Sequence, residues 1–167
     1  MRTFRDTEGR EWVLSLTLGS LRRIKASAGL DMLDLGQWDK QASNPFLRLS
    51  RDVVTLADTL CALCQTQMTE RGISEDQFAE ALGGQSIDDA LIALVEEWSD
   101  FFRHARKETE ALILRRALDV MNEARKRTIL AAAVIDRQMT VEKIFASLPT
   151  NLPESSESTP VPSPSAN

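Results

Sequence analysis

The chain has 167 residues, of which 43% are hydrophobic and 5% aromatic, and its formal net charge is -5 at pH 7. These values predict one globular domain with a mainly aliphatic core, and the excess of acid disfavours general nucleic-acid binding, which needs surplus Lys and Arg. No run approaches the roughly 20 apolar residues that cross a bilayer, and the polar segment from Met1 to Arg10 does not have the pattern of a secretory signal, so we expect a cytoplasmic protein with free thiols.

The N-terminal segment, residues 3–17, predicts a β-hairpin. Turn chemistry between residues 6 and 9 separates a short β-prone run from a segment in which Trp12, Leu14 and Leu16 alternate with more polar residues. That period of two places the three apolar side chains on one face of the strand. A lone hairpin is marginal in water, so this face must pack on a helix or on a neighbouring chain, and its free edge could add strands from another chain.

Two helices are predicted next. The first is capped by Thr17 or Ser20 and ends near Ala28, and the second runs without a break from Pro45 to about Gly72. Apolar residues recur in the second helix at spacings of three and four: Phe46, Leu49, Val53, Leu56, Leu60 and Leu63. This seam is shorter than three heptads, which favours a core stripe over a dimer zipper.

A capping box formed by Ser74 and Gln77 predicts a short helix over residues 75–82. Ser86 is the expected cap of the helix that follows. That helix has a broad apolar face: Ile87, Ala90, Leu91, Leu94, Val95, Trp98, Phe101 and Phe102. Its width predicts a helix buried over much of its surface.

A long helix is predicted from about Glu108 to Gln138, and Thr140 is expected to cap a last short helix over residues 141–148. The buried side of the long helix is expected to comprise Leu112, Leu114, Leu118, Met121 and Ala124.

The fold class that follows is α+β and predominantly α, with the N-terminal hairpin packed on a helical bundle. Residues 1–148 are predicted to form a single domain. Residues 149–167 are rich in Pro, Ser, Thr and Glu, and this composition predicts a disordered tail because it offers little apolar surface to bury.

Catalytic chemistry is sparse in this sequence. Cys61 and Cys64 form a Cys-x-x-Cys pair inside an apolar helix rather than at a helix N-terminus, so we interpret them as buried small hydrophobes. His104 is the single histidine and is interpreted as a surface residue near a helix end. We therefore predict a non-enzymatic protein with no cofactor and no metal site.

Charge is distributed unevenly along the chain. Residues 70–100 hold nine acids against Arg71, and residues 101–127 hold eight bases against four acids. This layout indicates either complementarity between antiparallel helices of the same chain or a basic face offered to an acidic partner. The bases singled out for a partner are Arg115, Arg116, Arg125, Lys126 and Arg127. A small nucleic-acid-binding regulator that uses the basic helix 103–127 is a further alternative, but no aromatic residues interleave with its bases to support stacking.

Several segments of the chain carry a family resemblance. They are residues 3–12, 18–25, 30–35 and 73–84, followed by the helix end Trp98-Ser99-Asp100-Phe101-Phe102. Together these segments resemble small phage and prophage proteins encoded among tail genes, of the tail assembly chaperone type. The resemblance covers residues 3–102 and lies in a pattern of hairpin, helices and spaced apolar residues.

The resemblance implies a non-enzymatic assembly factor of a long-tailed phage, located in the host cytoplasm. Such a chaperone coats the long helical tape measure protein before the tail tube polymerises around it, and is absent from the finished particle. The implied partners are therefore the tape measure and tail tube proteins, with a homo-oligomer also possible. We expect a partner-binding surface that contains some of five apolar residues: Trp12, Leu14, Trp98, Phe101 and Phe102. The alternative is a structural component that the virion or prophage particle retains.

Overall fold

The computed structural model describes residues 1–35 and 44–147, and gives the backbone alone for residue 132 and for residues 135–147. The predicted disordered tail lies outside the described residues. The chain divides into two compact units, residues 1–124 and residues 125–167.

The chain begins with an antiparallel hairpin. Strand β1 is Arg2–Arg5 and strand β2 is Glu11–Leu14, with Phe4 opposite Trp12. Gly9 adopts φ 79° in the connecting turn, a conformation that glycine reaches without steric cost. The hairpin packs on helices, as its apolar face predicts, which confirms the expected α+β, predominantly α class.

Helices make up most of the remaining described chain. They are α1 (Leu18–Ser27), α2 (Pro45–Arg51), α3 (Val53–Arg71), α4 (Glu75–Glu80), α5 (Gln85–His104) and α6 (Glu108–Ser147). Thr17 caps α1 and Ser74 caps α4, each through a capping box, so both predicted starts are confirmed. None of the described helices combines the length and the hydropathy needed to span a membrane.

The predicted continuous helix over residues 45–72 is wrong, because Asp52 divides it into α2 and α3. Asp52 has an extended backbone, with φ -115° and ψ 99°, and its side chain accepts hydrogen bonds from the N–H groups of Val54 and Thr55. A side chain that caps a new helix satisfies backbone donors that a continuous helix would bond to its own carbonyls. Val53, expected in the buried seam, is consequently 58% exposed.

Two other predicted boundaries are also wrong. Gly84, at φ 53°, is the N-cap of α5, while Ser86 lies inside the first turn and bonds the backbone of Gly83. Helix α6 passes through Thr140 without a break, because no Gly or Pro interrupts residues 108–147. A separate short helix over residues 141–148 is therefore not formed.

The core lies between the hairpin, α3 and α5 within residues 1–124. Trp12 packs edge-to-face on Phe78 of α4, with ring centroids 4.7 Å apart. Trp98 of α5 is fully buried and stacks on Phe102. The first part of α6 adds Ala111, Leu114 and Leu118 to the same core.

Candidate functional site: an apolar groove between α2 and α6

The residues expected at a partner surface lie mainly in the core. Trp12, Leu14, Trp98 and Phe102 are each 0% exposed, and Phe101 is partly buried against the same core. Four of the five residues from which the expected surface patch was drawn are therefore core residues, and only Phe101 reaches the surface in part. The physical reason is that both buried indoles find hydrogen-bond acceptors inside the protein, so their polar atoms need no solvent.

Asp6 is the acceptor for the first of these indoles. Its fully buried carboxylate accepts hydrogen bonds from the Trp12 indole at 2.9 Å and from the Arg10 guanidinium at 2.6 Å. Burial raises the pKa of Asp6, but the hydrogen bonds from Trp12 and Arg10 outweigh burial and hold the pKa below its usual value. The hydrogen bonds among Asp6, Arg10 and Trp12 join the hairpin turn to the core, so the role of these residues is structural.

The Trp98 indole and the outer edge of the hairpin also have hydrogen-bond partners inside the chain. The Trp98 indole donates to the carbonyl of Met32 at 2.9 Å. On the outer edge of β2, the side-chain amide of Gln67 accepts from the Val13 N–H at 3.0 Å and donates to the Val13 carbonyl at 2.8 Å. The expectation that this edge is free to add a strand is therefore wrong at Val13, because α3 already occupies its donor and acceptor.

The thiols match the interpretation made from the sequence in part. Cys64 is buried and Cys61 is half-buried, and both are free cysteines. Burial raises the pKa of the Cys64 thiol to about 12 and that of Cys61 to about 11. Both thiols are protonated near neutral pH, which makes them weak nucleophiles.

His104 ends α5 on the surface, with its Nδ1 atom 2.7 Å from the carbonyl oxygen of Asp100. It is exposed, as predicted. Within residues 1–35 and 44–147, His, Cys, Asp and Glu side chains form no group of three or more with the geometry to hold a metal ion.

Arg115 and Arg116, two of the basic residues singled out for a partner, do not share one surface. Arg115 shares a cleft with the acids Glu96, Asp100 and Asp119, while Arg116 lines a separate apolar groove. Successive helical residues point about 100° apart, which sends the two neighbouring arginines to different faces of α6. Arg125, Lys126 and Arg127 belong to the second unit of the chain. Acids of α5 pair with the hairpin instead, since Arg2 contacts both Glu96 and Asp100.

The α2–α6 groove is a shallow and mainly apolar depression with a volume of about 600 Å³. Its walls come from two residues of α2 and five of α6: Phe46, Leu47, Leu112, Ile113, Arg116, Ala117 and Val120. Leu112 is 60% exposed and Val120 is 70% exposed. The groove therefore presents large aliphatic side chains to solvent along two turns of α6.

The α2 wall is positioned by caps at both ends of this short helix. The Asn44 side chain accepts from the Leu47 N–H at 3.1 Å, and Pro45 occupies the first helical turn. Asp52 ends α2 and begins α3, as described above. Phe46 and Leu49 anchor α2 in the core, so the exposed part of Leu47 is held in place at the groove.

The α6 wall is positioned by the turn after α5. Arg106 has φ 59°, a left-handed conformation that reverses the chain direction, and the Lys107 N–H bonds the Phe102 carbonyl at 2.9 Å. One turn later, the Ser99 hydroxyl donates to the Ala111 carbonyl at 3.1 Å. These contacts tie the beginning of α6 to α5.

Sequence reasoning missed the groove because it assigned Leu112 and Ala124 to the buried side of α6, and both are exposed. The first part of α6 carries two apolar stripes. One contains Ala111, Leu114 and Leu118 and lies in the core, and the other contains Leu112, Ile113, Ala117 and Val120 and lines the groove. The spacing of these residues was the available signal, since one helix face cannot hold both stripes.

No protein-family model matches the chain, and no curated protein or solved structure matches it either.

Proposed function

We propose that this chain is a non-enzymatic assembly chaperone or adaptor that binds a helical segment of a longer protein in the α2–α6 groove. The observation that carries the proposal is the exposure of Leu112 and Val120 on a helix whose opposite face is already buried. Two helices that flank an apolar groove offer the geometry in which an amphipathic helix packs as a third. An exposed apolar surface of this kind is typical of an interaction site.

The proposed partner is the tape measure protein of a long-tailed phage, or another long helical protein assembled into the same particle. This identity follows from the resemblance of residues 3–102 to tail assembly chaperones. A long helical protein that awaits assembly exposes apolar stripes, and a small domain that covers them one segment at a time would prevent aggregation. The chain would act in the host cytoplasm, would need no cofactor and would leave before the particle is complete.

The test is co-expression of this chain with the long, helix-rich protein encoded beside it, followed by co-purification. The matched variants are Val120→Glu in the groove and Val54→Glu on α3. The two valines are 70% and 69% exposed, and Val54 does not line the groove. A carboxylate in the groove must be desolvated when an apolar helix binds, so Val120→Glu is expected to lose the partner by at least about tenfold.

Retention of the partner by Val54→Glu and its loss by Val120→Glu is the expected result. Equal retention by the two variants would contradict binding in the groove. Mass spectrometry of purified particles then separates a chaperone from a structural component. Abundant peptides of this chain in finished particles would contradict the chaperone proposal and favour a structural role.

A further inference from the structure

Of the described residues that line the α2–α6 groove, Arg116 is the one with a charge. It is exposed and lies midway along the α6 wall, one helical turn from Leu112 and one from Val120. Within the described part of the chain, Arg116 makes no ion pair. Among the described residues, a positive charge without an ion-pair partner therefore stands in the middle of an otherwise apolar surface.

The neighbouring arginine has a different environment. Arg115 makes no ion pair within the described part of the chain either, but it lines a cleft with Arg2 and three acids, Glu96, Asp100 and Asp119, of which the first two pair with Arg2. The contrast is informative because the two residues are identical in chemistry and adjacent in sequence. The chain supplies acids around one arginine and apolar side chains around the other.

A helix that binds in the groove displaces water from around the charged Arg116 guanidinium. A helix that covered the groove with apolar residues alone would remove water from the guanidinium and give it no new partner, which is strongly unfavourable. A carboxylate on the occupant restores a partner and suits the planar guanidinium, which bonds both carboxylate oxygens at once. The groove thus discriminates between helices by charge as well as by shape.

We infer that the α2–α6 groove selects an amphipathic helix of another protein that places an Asp or Glu against Arg116, between two large apolar residues. This inference rests on the proposed function, in which the groove binds a helix. It adds the chemistry by which one helical segment is chosen over another of equal hydrophobicity.

The length of the groove sets the spacing of that pattern. The α6 wall runs from Leu112 to Val120, eight helical steps that correspond to about 12 Å along the helix. Apolar residues at positions i and i+7 lie on one face of the bound helix about 10.5 Å apart, which places them near the two ends of the groove. A carboxylate that reaches Arg116 stands between them, at i+3 or i+4.

Charge also argues against a second copy of this chain as the occupant. Two identical grooves that face each other across a two-fold axis would place Leu112 of one α6 near Val120 of the other. The midpoint of that wall is Arg116, so the two Arg116 guanidinium groups would meet on the axis and repel each other. A carboxylate-bearing helix from another protein avoids this conflict.

The experiment uses the full chain and two fluorescently labelled helical peptides of about 15 residues, each held helical by a side-chain bridge. Both carry Leu at i and i+7, and they differ only in having Glu or Gln at i+4. Fluorescence anisotropy is expected to show that the Glu peptide binds roughly tenfold more tightly than the Gln peptide. Arg116→Gln should remove this preference, and the matched control Arg115→Gln should keep it.

A charge reversal keeps the inference testable if Arg116→Gln changes the groove in another way. Arg116→Glu is expected to reverse the preference, so that a peptide with Lys at i+4 binds more tightly than the Glu peptide. Circular dichroism and thermal unfolding of each variant verify that the fold is intact. Selection by charge is supported if the preferred peptide changes from Glu to Lys when the charge at residue 116 is reversed.

Equal binding of the Glu and Gln peptides to the wild-type chain would overturn the inference and leave helix binding by the groove standing. Failure of both peptides to bind would overturn it as well, and the Val120→Glu and Val54→Glu co-purification then decides the proposed function separately. Sedimentation analysis tests whether a second copy of this chain occupies the groove instead. A wild-type dimer that Val120→Glu converts to monomer would overturn the inference in favour of a second copy.

Discussion

The region around the hairpin and α5 and the region between α2 and α6 both hold large apolar side chains, but they place them differently. Trp12 and Trp98 are fully buried in the first region, whereas Leu112 and Val120 are more than half exposed in the second. In the first region each of the two indole N–H groups donates to an acceptor inside the protein. The difference teaches that Trp12 and Trp98 belong to the core, whereas the most exposed apolar side chains of the groove are aliphatic.

The largest expected effect of a single substitution is in the first region. Trp98→Ala should lower the free energy of unfolding by about 4 kcal/mol, because it leaves a large cavity and an unpartnered Met32 carbonyl. Urea denaturation measures the change. A loss below about 1 kcal/mol would show that Trp98 is not a core residue and that the contrast between the regions is drawn in the wrong place.

Two leucines of α6 allow the effect of a substitution to be compared between the two regions within one helix. Leu114 is 0% exposed and Leu112 is 60% exposed. Leu114→Ala should cost about 3 kcal/mol of unfolding free energy, whereas Leu112→Ala should change it by less than about 0.5 kcal/mol. Equal losses in parallel denaturant titrations would mean that the groove wall is part of the core, and the two-stripe description of α6 would fail.

The next largest effect on the free energy of unfolding is expected at Asp6, whose carboxylate accepts a hydrogen bond from the Trp12 indole. Asp6→Ala should cost about 2 kcal/mol, because the indole N–H and the Arg10 guanidinium lose a buried acceptor. Glu8→Ala is the matched control, since Glu8 also pairs with Arg10 but its side chain is 62% exposed, and it should cost less than about 0.5 kcal/mol.

Asp6 should also make stability depend on pH. The pKa of Asp6 is lower in the folded chain than in the unfolded chain. The ionised carboxylate therefore stabilises the fold fully at pH values above its pKa in the unfolded chain. This contribution is lost as the pH falls through the folded pKa. The difference in unfolding free energy between the wild-type chain and Asp6→Asn should therefore shrink as the pH is lowered from about 5 to about 2. A difference that grows on acidification would contradict the assigned direction of the pKa shift.

The smallest expected effect concerns the turn that directs α6 along the groove. Arg106 holds φ 59°, which strains any residue with a Cβ atom. Arg106→Gly should therefore raise the unfolding free energy by about 0.5 kcal/mol. Ala105→Gly, at φ -80°, should lower it instead. Thermal unfolding of the two variants distinguishes these directions, and a loss of stability in both would indicate that the turn carries no strain.

Much of the fold could be predicted from local patterns. The alternation around Trp12, the cap at Thr17 and the capping box at Ser74 each depend on residues that are close in sequence, and each forms as expected. The break at Asp52 could not be predicted with equal ease, because apolar spacing continues through it. Whether a side chain such as Asp52 caps a new helix depends on how the two helices pack on the rest of the chain.

The candidate site was harder to predict than the fold. Hydrophobic periodicity shows that α6 has apolar stripes, but it does not show which stripe faces the core, because that choice depends on where α2 and α5 lie. Trp98 and Leu112 illustrate the two errors that follow, since a residue expected on the surface is buried and a residue expected in the core is exposed. Arg116 was singled out from its charge, and its place inside an apolar groove required the structure.

The central claim is that the α2–α6 groove receives a helix of another protein. Photo-crosslinking tests it most directly, with a light-activated phenylalanine derivative placed at Val120 or, in a separate variant, at Val54. Each variant is co-expressed with the long, helix-rich protein encoded beside this chain. We predict crosslinks from position 120 to a partner helix that carries Asp or Glu between two apolar residues, and no crosslinks from position 54. A stable complex that crosslinks at position 54, or at neither position, would contradict the claim.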